Sequence, residues 1–416
     1  MPRIVTLVLA DPHGRVLGAL PEVEVAVPWW PEAWPLADAA RERWGLAVTV
    51  LRLLDAPDSP VPAGGRVAYL AETTHAPPAG VLRPLGDADP LRLLAEEPHP
   101  RRAPWARPGG VAATLHRADA ALLAAGRPRT GPARQVKTWN LSSVLTLPTA
   151  GGPVWCKSVP APLAHEGGVV AALAARAPGL APPRLGAWAE PGAATTVLLG
   201  DVPGGPRFEA SPAEVEGMAV RWAGVQAALA GSLDELAAAG VPDRRAGPLL
   251  AAVRELAGRR DVRADLADAD LDALDALVAG LPERLDALAA CGLPDTLVHG
   301  DLHPGNWVGQ PGAASVVDWG DSVLGHPAFD VLTLAAGLEP AAQRAVHGVW
   351  AQAWRRHRPA ADPLRALELA RPVAALRSAT VYRAFLDAVE RTERRYHDRD
   401  PAAMIRSAAA AAATPL

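Results

Sequence analysis

The stretch His299-Gly300-Asp301-Leu302-His303-Pro304-Gly305-Asn306-Trp307, followed shortly by Asp318-Trp319-Gly320-Asp321, spaces an Asp, an Asn and a second Asp closely along the chain. Asn306-Trp307-Val308-Gly309 and Ser315-Val316-Val317-Asp318 are short apolar runs around Gln310-Pro311-Gly312-Ala313-Ala314. Pro and Gly between two such runs predict a hairpin. Folding about Gly312 sets Asn306 opposite Asp318 on adjacent strands. Their side-chain oxygens then suit one hard cation, which takes oxygen ligands. Asp301 falls in the loop ahead of Asn306. The plainer reading is a polar turn beside a hairpin, each Asp capping a local turn. That reading suits one isolated His-x-Asp better than the whole string in this order.

The order His299-x-Asp301-x-x-x-x-Asn306 and then Asp318 closely resembles the aminoglycoside phosphotransferase and small-molecule kinase family, and is less like the protein-kinase spelling. The resemblance implies that Asp301 accepts the proton of a substrate hydroxyl and that Asn306 and Asp318 hold Mg²⁺ beside ATP. It also implies that His299 props the catalytic loop. Gly325-His326-Pro327-Ala328-Phe329-Asp330 resembles the family's G-D-P-x-x-D segment, with His326 in place of its first Asp, a change expected in a surface turn. Asp330 is expected to cap the following helix or to brace the loop. His299 and His303 have no Cys or third His at zinc spacing.

Lys and Arg together number 41, yet only Lys137 and Lys157 are lysines. In a chain rich in Ala, Pro, Gly and Arg, a surviving lysine is informative, because a compact ammonium and a planar guanidinium are not interchangeable between phosphates. Lys157 lies in Val154-Trp155-Cys156-Lys157-Ser158-Val159, an apolar and β-branched run that predicts a strand. Glu166 opens an Ala-rich stretch of helical character ending at Arg176. A strand Lys paired with a helix Glu is the kinase arrangement for gripping the α- and β-phosphates. Lys137 lacks such a pattern and reads as solvated.

At 416 residues the chain has room for two or three domains. Half of it is hydrophobic and 21% charged, a globular balance. A formal net charge of −4 and a pI near 6.3 give no reason to expect a nucleic-acid partner. Two cysteines, Cys156 and Cys291, cannot make a disulfide framework and fit a reducing cytoplasm. The apolar run at the N-terminus is too short for a signal peptide or a membrane span. A cytoplasmic protein without a membrane partner is expected.

The fold class expected is α+β: a bilobal protein-kinase-like body preceded by a small α/β domain. Residues 1–95 carry short strands and a helix near Pro35 to Trp44. The end of that helix, Ala39-Ala40-Arg41-Glu42-Arg43-Trp44-Gly45-Leu46, resembles the close of a Nudix box. Aligned on Gly45, it keeps Glu42 but has Asp38, Ala39 and Arg43 where the box asks for Arg, Glu and Glu. The resemblance therefore implies an accessory domain without pyrophosphohydrolase activity. Trp29, Trp30, Trp34 and Trp44 crowd this part, and core or interface packing is favoured over a ligand pocket. Residues 96–110, rich in Pro and Arg, read as a linker. Residues 111–202 are expected to form the small lobe with a leading helix, and 203–416 a helical large lobe.

Within the small lobe, Asn140-Leu141-Ser142-Ser143 falls where kinases cover the phosphates. Ser142 and Ser143 have hydroxyl and N–H donors to offer there, although an ordinary turn suits the same residues. The strand from Thr195 leads to Leu199-Gly200-Asp201-Val202, the zone where the family's backbone binds adenine, so Leu199 and Asp201 are nucleotide-site candidates. Leucines from Leu266 to Leu288 recur at helical spacing and face a core. Asp387, Glu390 and Glu393, interleaved with Arg383, Arg391, Arg394 and Arg395, read as a mixed solvated helix, which gives no support for a polycationic substrate. The reaction implied is ATP- and Mg²⁺-dependent phosphoryl transfer to a hydroxyl of a small polar metabolite or antibiotic. The alternatives are a silent kinase-like binding module and small-molecule sensing through the Nudix-like part.

Overall fold

The computed structural model describes residues 2–413. They form two compact units. Among the described residues, the first comprises 2–164, 184–201 and 385–398; the second comprises 165–183, 202–384 and 399–413.

In the first unit, the run Arg-Ile-Val-Thr-Leu-Val-Leu-Ala forms β1 (Arg3–Ala10), as its β-branched content favours. The other N-terminal strands are β2 (Val16–Ala19), β3 (Val23–Val25), β4 (Thr49–Asp55) and β5 (Gly65–Glu72), in sheet order β2-β1-β5-β4 with β3 on the start of β1. β1 and β5 run parallel, from Arg3 opposite Gly65 to Ala10 opposite Glu72. α1 (Trp34–Trp44) starts with Pro35 in its first turn and stops at Gly45, whose φ of 66° suits a residue without a Cβ. Trp30 is buried and donates its indole N–H to the Gly64 carbonyl at 2.8 Å, whereas Trp29 is exposed.

α2 (Pro90–Glu96) and α3 (Gly110–Ala124) then lead to a second, antiparallel sheet. Its strands are β6 (Arg134–Thr138), β7 (Ser143–Leu147), β8 (Val154–Val159), β9 (Arg184–Ala189) and β10 (Thr195–Gly200), in order β6-β7-β8-β10-β9. One apolar core serves both sheets: Val8, Leu51 and Leu70 of the first sheet with Ala118 and Leu122 of α3 and Leu145, Cys156 and Leu198 of the second sheet. Burial pushes the Cys156 thiol up to about 12, so it behaves as a small apolar group. The Gln135 side chain ties the sheets further, accepting from Val50 N–H at 2.9 Å and donating to Val50 C=O at 2.7 Å. The Pro- and Arg-rich stretch also enters this core. Trp105 is buried in it and donates its indole N–H to the Trp139 carbonyl at 3.1 Å. Lys137 is partly exposed, with Nζ 3.6 Å from Glu32 Oε1.

The segment 385–398 corrects the reading of a solvated acidic helix. The helix ends at Ala388, and Glu390 and Glu393 are only 4% and 3% exposed. Arg102 grips Glu390, with Nε 2.9 Å and Nη2 2.8 Å from Oε2. Glu393 Oε1 accepts from Leu53 N–H at 2.6 Å, and its main-chain carbonyl accepts from Asn140 Nδ2 at 2.9 Å. Burial, reinforced by the neighbouring Glu390, pushes the Glu393 carboxyl up to about 8 from its ordinary 4.5. Between those values the folded protein keeps a proton that the unfolded chain has released. The stabilisation is therefore complete below about 4.5 and is lost as pH rises through about 8. Glu393→Gln keeps an oxygen for Leu53 and removes the titration. Thermal melts from about pH 5 to 9 should show a smaller fall in Tm for this variant than for the wild type, and parallel curves would refute the assignment.

The second unit is mainly helical: α4 (Glu166–Arg176), α5 (Pro212–Leu229), α6 (Leu233–Ala238), α7 (Ala246–Gly258), α8 (Arg260–Ala264), α9 (Asp268–Ala279) and α10 (Leu281–Ala290), then α11 (Ala328–Ala335), α12 (Pro340–His357), α13 (Pro363–Ala388, to Ala384 in this unit) and α14 (Asp400–Ala413). Ser211 and Glu214 form a capping box on α5. The leucine-patterned region resolves into α9 and α10, interrupted at Gly280. Between α10 and α11 lie β11 (Thr296–Val298), the hairpin strands β12 (Trp307–Val308) and β13 (Ser315–Val316), and β14 (Val323–Gly325). Among the described residues no helix is long and apolar enough to cross a membrane.

Candidate active site

β11 is buried along its length and pairs antiparallel with β14, Val298 lying opposite Val323. Two segments therefore meet at one end of this short ladder. His299 to Asn306 leaves β11 there, and Val317 to Ser322 enters β14 there. The β12–β13 hairpin joins them.

Gly300 sits at φ 89°, and a Cβ would strike the Asp321 carbonyl, so only glycine lets the two segments approach. The His299 ring is fully buried. Its Nδ1 accepts from Asp301 N–H at 3.3 Å, which leaves the proton on Nε2 to donate to the Val317 carbonyl at 3.0 Å. The ring stacks at a tilt on Trp319, 4.7 Å between centroids. His299 thus fastens the Asp301 segment to the Asp318 segment.

Asp330 lies inside the first turn of α11 and makes no cap there; its side chain runs back to the loop. Oδ2 accepts from His299 N–H at 2.8 Å, Trp222 Nε1 at 2.9 Å and Gln226 Nε2 at 3.2 Å, while Oδ1 accepts from Gly300 N–H at 3.0 Å. Burial raises the Asp330 carboxyl above the ordinary carboxylate range, and these donors oppose the rise. His326 is buried too, contrary to the surface turn expected. Its Nδ1 accepts from Ala328 N–H at 3.3 Å, and burial pushes the imidazole down to about 3, so it stays neutral.

Asp301 has a side chain 48% exposed, open to a reactant. Asn306 Nδ2 donates to the Asp301 carbonyl at 2.8 Å and lies 3.4 Å from Oδ2. With its N–H group so occupied, the Asn306 Oδ1 remains available as an oxygen ligand. The hairpin forms about Gly312, φ 78°, but its register differs by one residue from expectation. Trp307 lies opposite Val316 and Val308 opposite Ser315, so Val317 N–H donates to the Asn306 carbonyl at 2.9 Å. Asp318 comes one step later, in the left-handed region at φ 66°. Such a conformation is uncommon for a non-glycine residue and concentrates at functional sites. Among the described residues no group of three or more His, Cys, Asp or Glu forms a metal cluster. The donor set that fits Mg²⁺ is one amide oxygen and one carboxylate.

Glu166 opens α4 and is buried; its Oε1 accepts from Trp319 N–H at 3.2 Å, directly after Asp318. Lys157 belongs to the first unit, at the middle of β8 between Val144 and Val197. Alternation along the strand sends Cys156 into the core with α3 and Lys157 to the opposite face. Ser142 and Ser143 close the β6–β7 turn and are both buried, with Trp139 Nε1 donating to Ser142 Oγ at 2.8 Å. Leu199 lies opposite Trp155, whose indole donates to Asp201 Oδ1 at 2.8 Å.

Two residues near the loop escaped the sequence reading. Arg377 of α13 is buried and donates through Nη2 to the Gly300 carbonyl at 2.9 Å, with Asp330, Asp321 and Asp301 in its electrostatic range. Burial lowers its guanidinium, and those carboxylates oppose the shift. Phe208 is 71% exposed and stacks on His303 at 5.8 Å between centroids. His303 Nδ1 accepts from Gly305 N–H at 3.0 Å, so its Nε2–H points toward Asp301, 3.6 Å from Oδ2.

The sequence pattern of a family described as the phosphotransferase enzyme family matches residues 154–367 and leaves 1–153 and 368–416 outside it. No curated protein sequence matches the chain. Among solved structures, the GDP complex of wild-type aminoglycoside 2'-phosphotransferase-IIIa is similar at a TM-score of 0.52 and 13% identity, over 71% of this chain and 98% of that one. The GDP and kanamycin complex of APH(2")-IIia is similar at 0.51 and 14% identity, over 72% of this chain and 99% of that one. At these identities the likeness establishes a shared fold.

Proposed function

The chain belongs to the phosphotransferase enzyme family, and from that premise we propose that it transfers the γ-phosphoryl group of ATP, with Mg²⁺, to a hydroxyl of a small polar metabolite or antibiotic. The observation that carries this reading is the partly exposed Asp301 carboxylate, braced by Asn306 and set on the same end of the β11–β14 ladder as Asp318.

In the proposed reaction Asp301 orients the acceptor hydroxyl and takes its proton. The acceptor oxygen forms a bond to the γ-phosphorus as the bond from that phosphorus to the bridging oxygen breaks, and ADP leaves with the electron pair. The oxygens of Asn306 and Asp318 would hold Mg²⁺, which would supply neutralisation of the charge building on the transferring phosphates. Lys157 holds the α- and β-phosphates, Glu166 orients it, and Ser142 and Ser143 contribute donors over the phosphates. The backbone from Leu199 to Val202 receives the adenine. His299 and Asp330 keep Asp301 in place.

Transfer from γ-labelled ATP, across a panel of aminoglycosides, sugars, amino alcohols and nucleosides, tests the reading. GTP belongs in the panel because both structural relatives are GDP complexes. Label should reach at least one acceptor, and only with Mg²⁺ present. Lys157→Arg should weaken ATP binding by calorimetry about tenfold or more, since a guanidinium cannot replace a compact ammonium between phosphates. Nucleotide binding without transfer to any acceptor would favour a binding module, and unchanged ATP affinity in Lys157→Arg would remove the clamp role.

A further inference from the structure

The first unit contains a cavity of about 660 Å³, within the range of small-molecule sites. Its walls come from the stretch around Trp105, the start of α3, the β6–β7 turn, the exit of β8, the β9–β10 turn and the segment ending at Glu393. None of the residues proposed for nucleotide, metal or acceptor lines it. Trp105, Pro104, Pro160, Pro162, Pro191 and Val389 give it flat, rigid, apolar faces.

The polar lining divides into groups that are satisfied and groups that are not. Arg102 is committed to Glu390, and Arg117 to Glu190 at 3.0 Å. Asn140 Oδ1 and Glu393 Oε2 are buried without a hydrogen-bond partner, a costly condition for oxygens in a folded protein. Arg101 and Arg107 are exposed on the lining, and neither joins an ion pair among the described residues. The Arg107 guanidinium donates only to the main-chain carbonyl of Arg102, through Nε at 3.3 Å and Nη2 at 3.1 Å.

We infer that this cavity is a second ligand site, taking a small organic anion with a flat apolar ring and an N–H or O–H donor. The ring would lie against Trp105 and the prolines, the anionic group would meet Arg101 and Arg107, and the donor would satisfy Asn140 Oδ1. The carboxylates do not oppose an anion: Glu190 and Glu390 are neutralised by their arginines, and Glu393, pushed up to about 8 by burial, holds its proton near neutral pH. Binding there is separate from the transfer reaction, because no residue of that machinery takes part in it.

The probe that tests it is 8-anilinonaphthalene-1-sulfonate, which combines a naphthalene ring, a sulfonate and one N–H. Titrated by fluorescence into the full chain, it should bind at one saturable site and should not be displaced by ATP with Mg²⁺. The double variant Arg101→Ala/Arg107→Ala should raise its Kd about tenfold, as expected for losing two partly exposed charge-assisted contacts. Ala113→Trp, which fills the cavity from α3, should abolish the fluorescence gain. Both variants should keep any basal turnover of the wild type. Absence of saturable binding, displacement by ATP, or a Kd within about twofold of wild type in the arginine variant would each overturn the inference. Because Arg101 and Arg107 are exposed, their replacement leaves the core intact, and the arginine variant decides the matter even if Ala113→Trp folds poorly.

Discussion

Asp301→Asn is expected to reduce turnover about 10²-fold or more while leaving nucleotide affinity near that of the wild type. The substitution keeps the size of the side chain and removes its capacity to take a proton. A loss of 10²-fold corresponds to about 2.7 kcal/mol of transition-state stabilisation. The loop has no reason to collapse, because its strongest local tie, Asn306 Nδ2 to the Asp301 carbonyl at 2.8 Å, is made to the main chain. The side-chain contact from Asn306 to Asp301 Oδ2 is longer, at 3.4 Å. Steady-state kinetics with the best acceptor, paired with ATP calorimetry, separates the two quantities. Wild-type turnover in the variant would take Asp301 out of the base role.

The second large effect is on stability. Asp330→Ala should destabilise the protein by about 4 kcal/mol, because it strands several buried donors at once and each costs about 1–3 kcal/mol when left unpaired. The amides of His299 and Gly300, the indole of Trp222 and the amide of Gln226 all lose their acceptor. Arg377 loses one of the carboxylates that offset its burial. Urea unfolding, followed by tryptophan fluorescence, measures the difference. A loss below about 1 kcal/mol would mean that water replaces the carboxylate at little cost and that Asp330 is not the brace of the loop.

The string proposed to act on phosphate could be placed from the sequence because its residues lie at short range along the chain. His299, Asp301, Asn306 and Asp318 all hang from one end of a two-strand ladder, so their spacing in sequence maps almost directly onto spacing in the fold. Lys157 stood out because bias had removed nearly every other lysine. The same bias hid Arg377: where almost all positive charge is arginine, a buried arginine looks like a solvated one. The hairpin was recognisable but its register was not, since the turn around Gly309 and Gly312, both at positive φ, settles which residues face each other. Glu390 and Glu393 were misread because a charged pattern says nothing about a partner far away in sequence. Arg102 and Leu53 supply that partner. His326 was misplaced because a histidine in a Gly- and Pro-flanked turn reads as exposed, whereas the ring is buried and accepts from Ala328 N–H at the start of α11.

The apolar layer shared by the two sheets of the first unit makes compositional seams and cooperative seams fall in different places. The Pro- and Arg-rich stretch is where the sequence changes character, yet Trp105 nails that stretch into the layer that Leu51, Leu145 and Cys156 also build. Damage near the N-terminus is therefore transmitted as a packing defect to the strand that carries Lys157. Trimming the first strands would leave Lys157 chemically untouched while softening the platform beneath it, so such trimming acts on β8 through disorder and not through lost contacts at Lys157 itself.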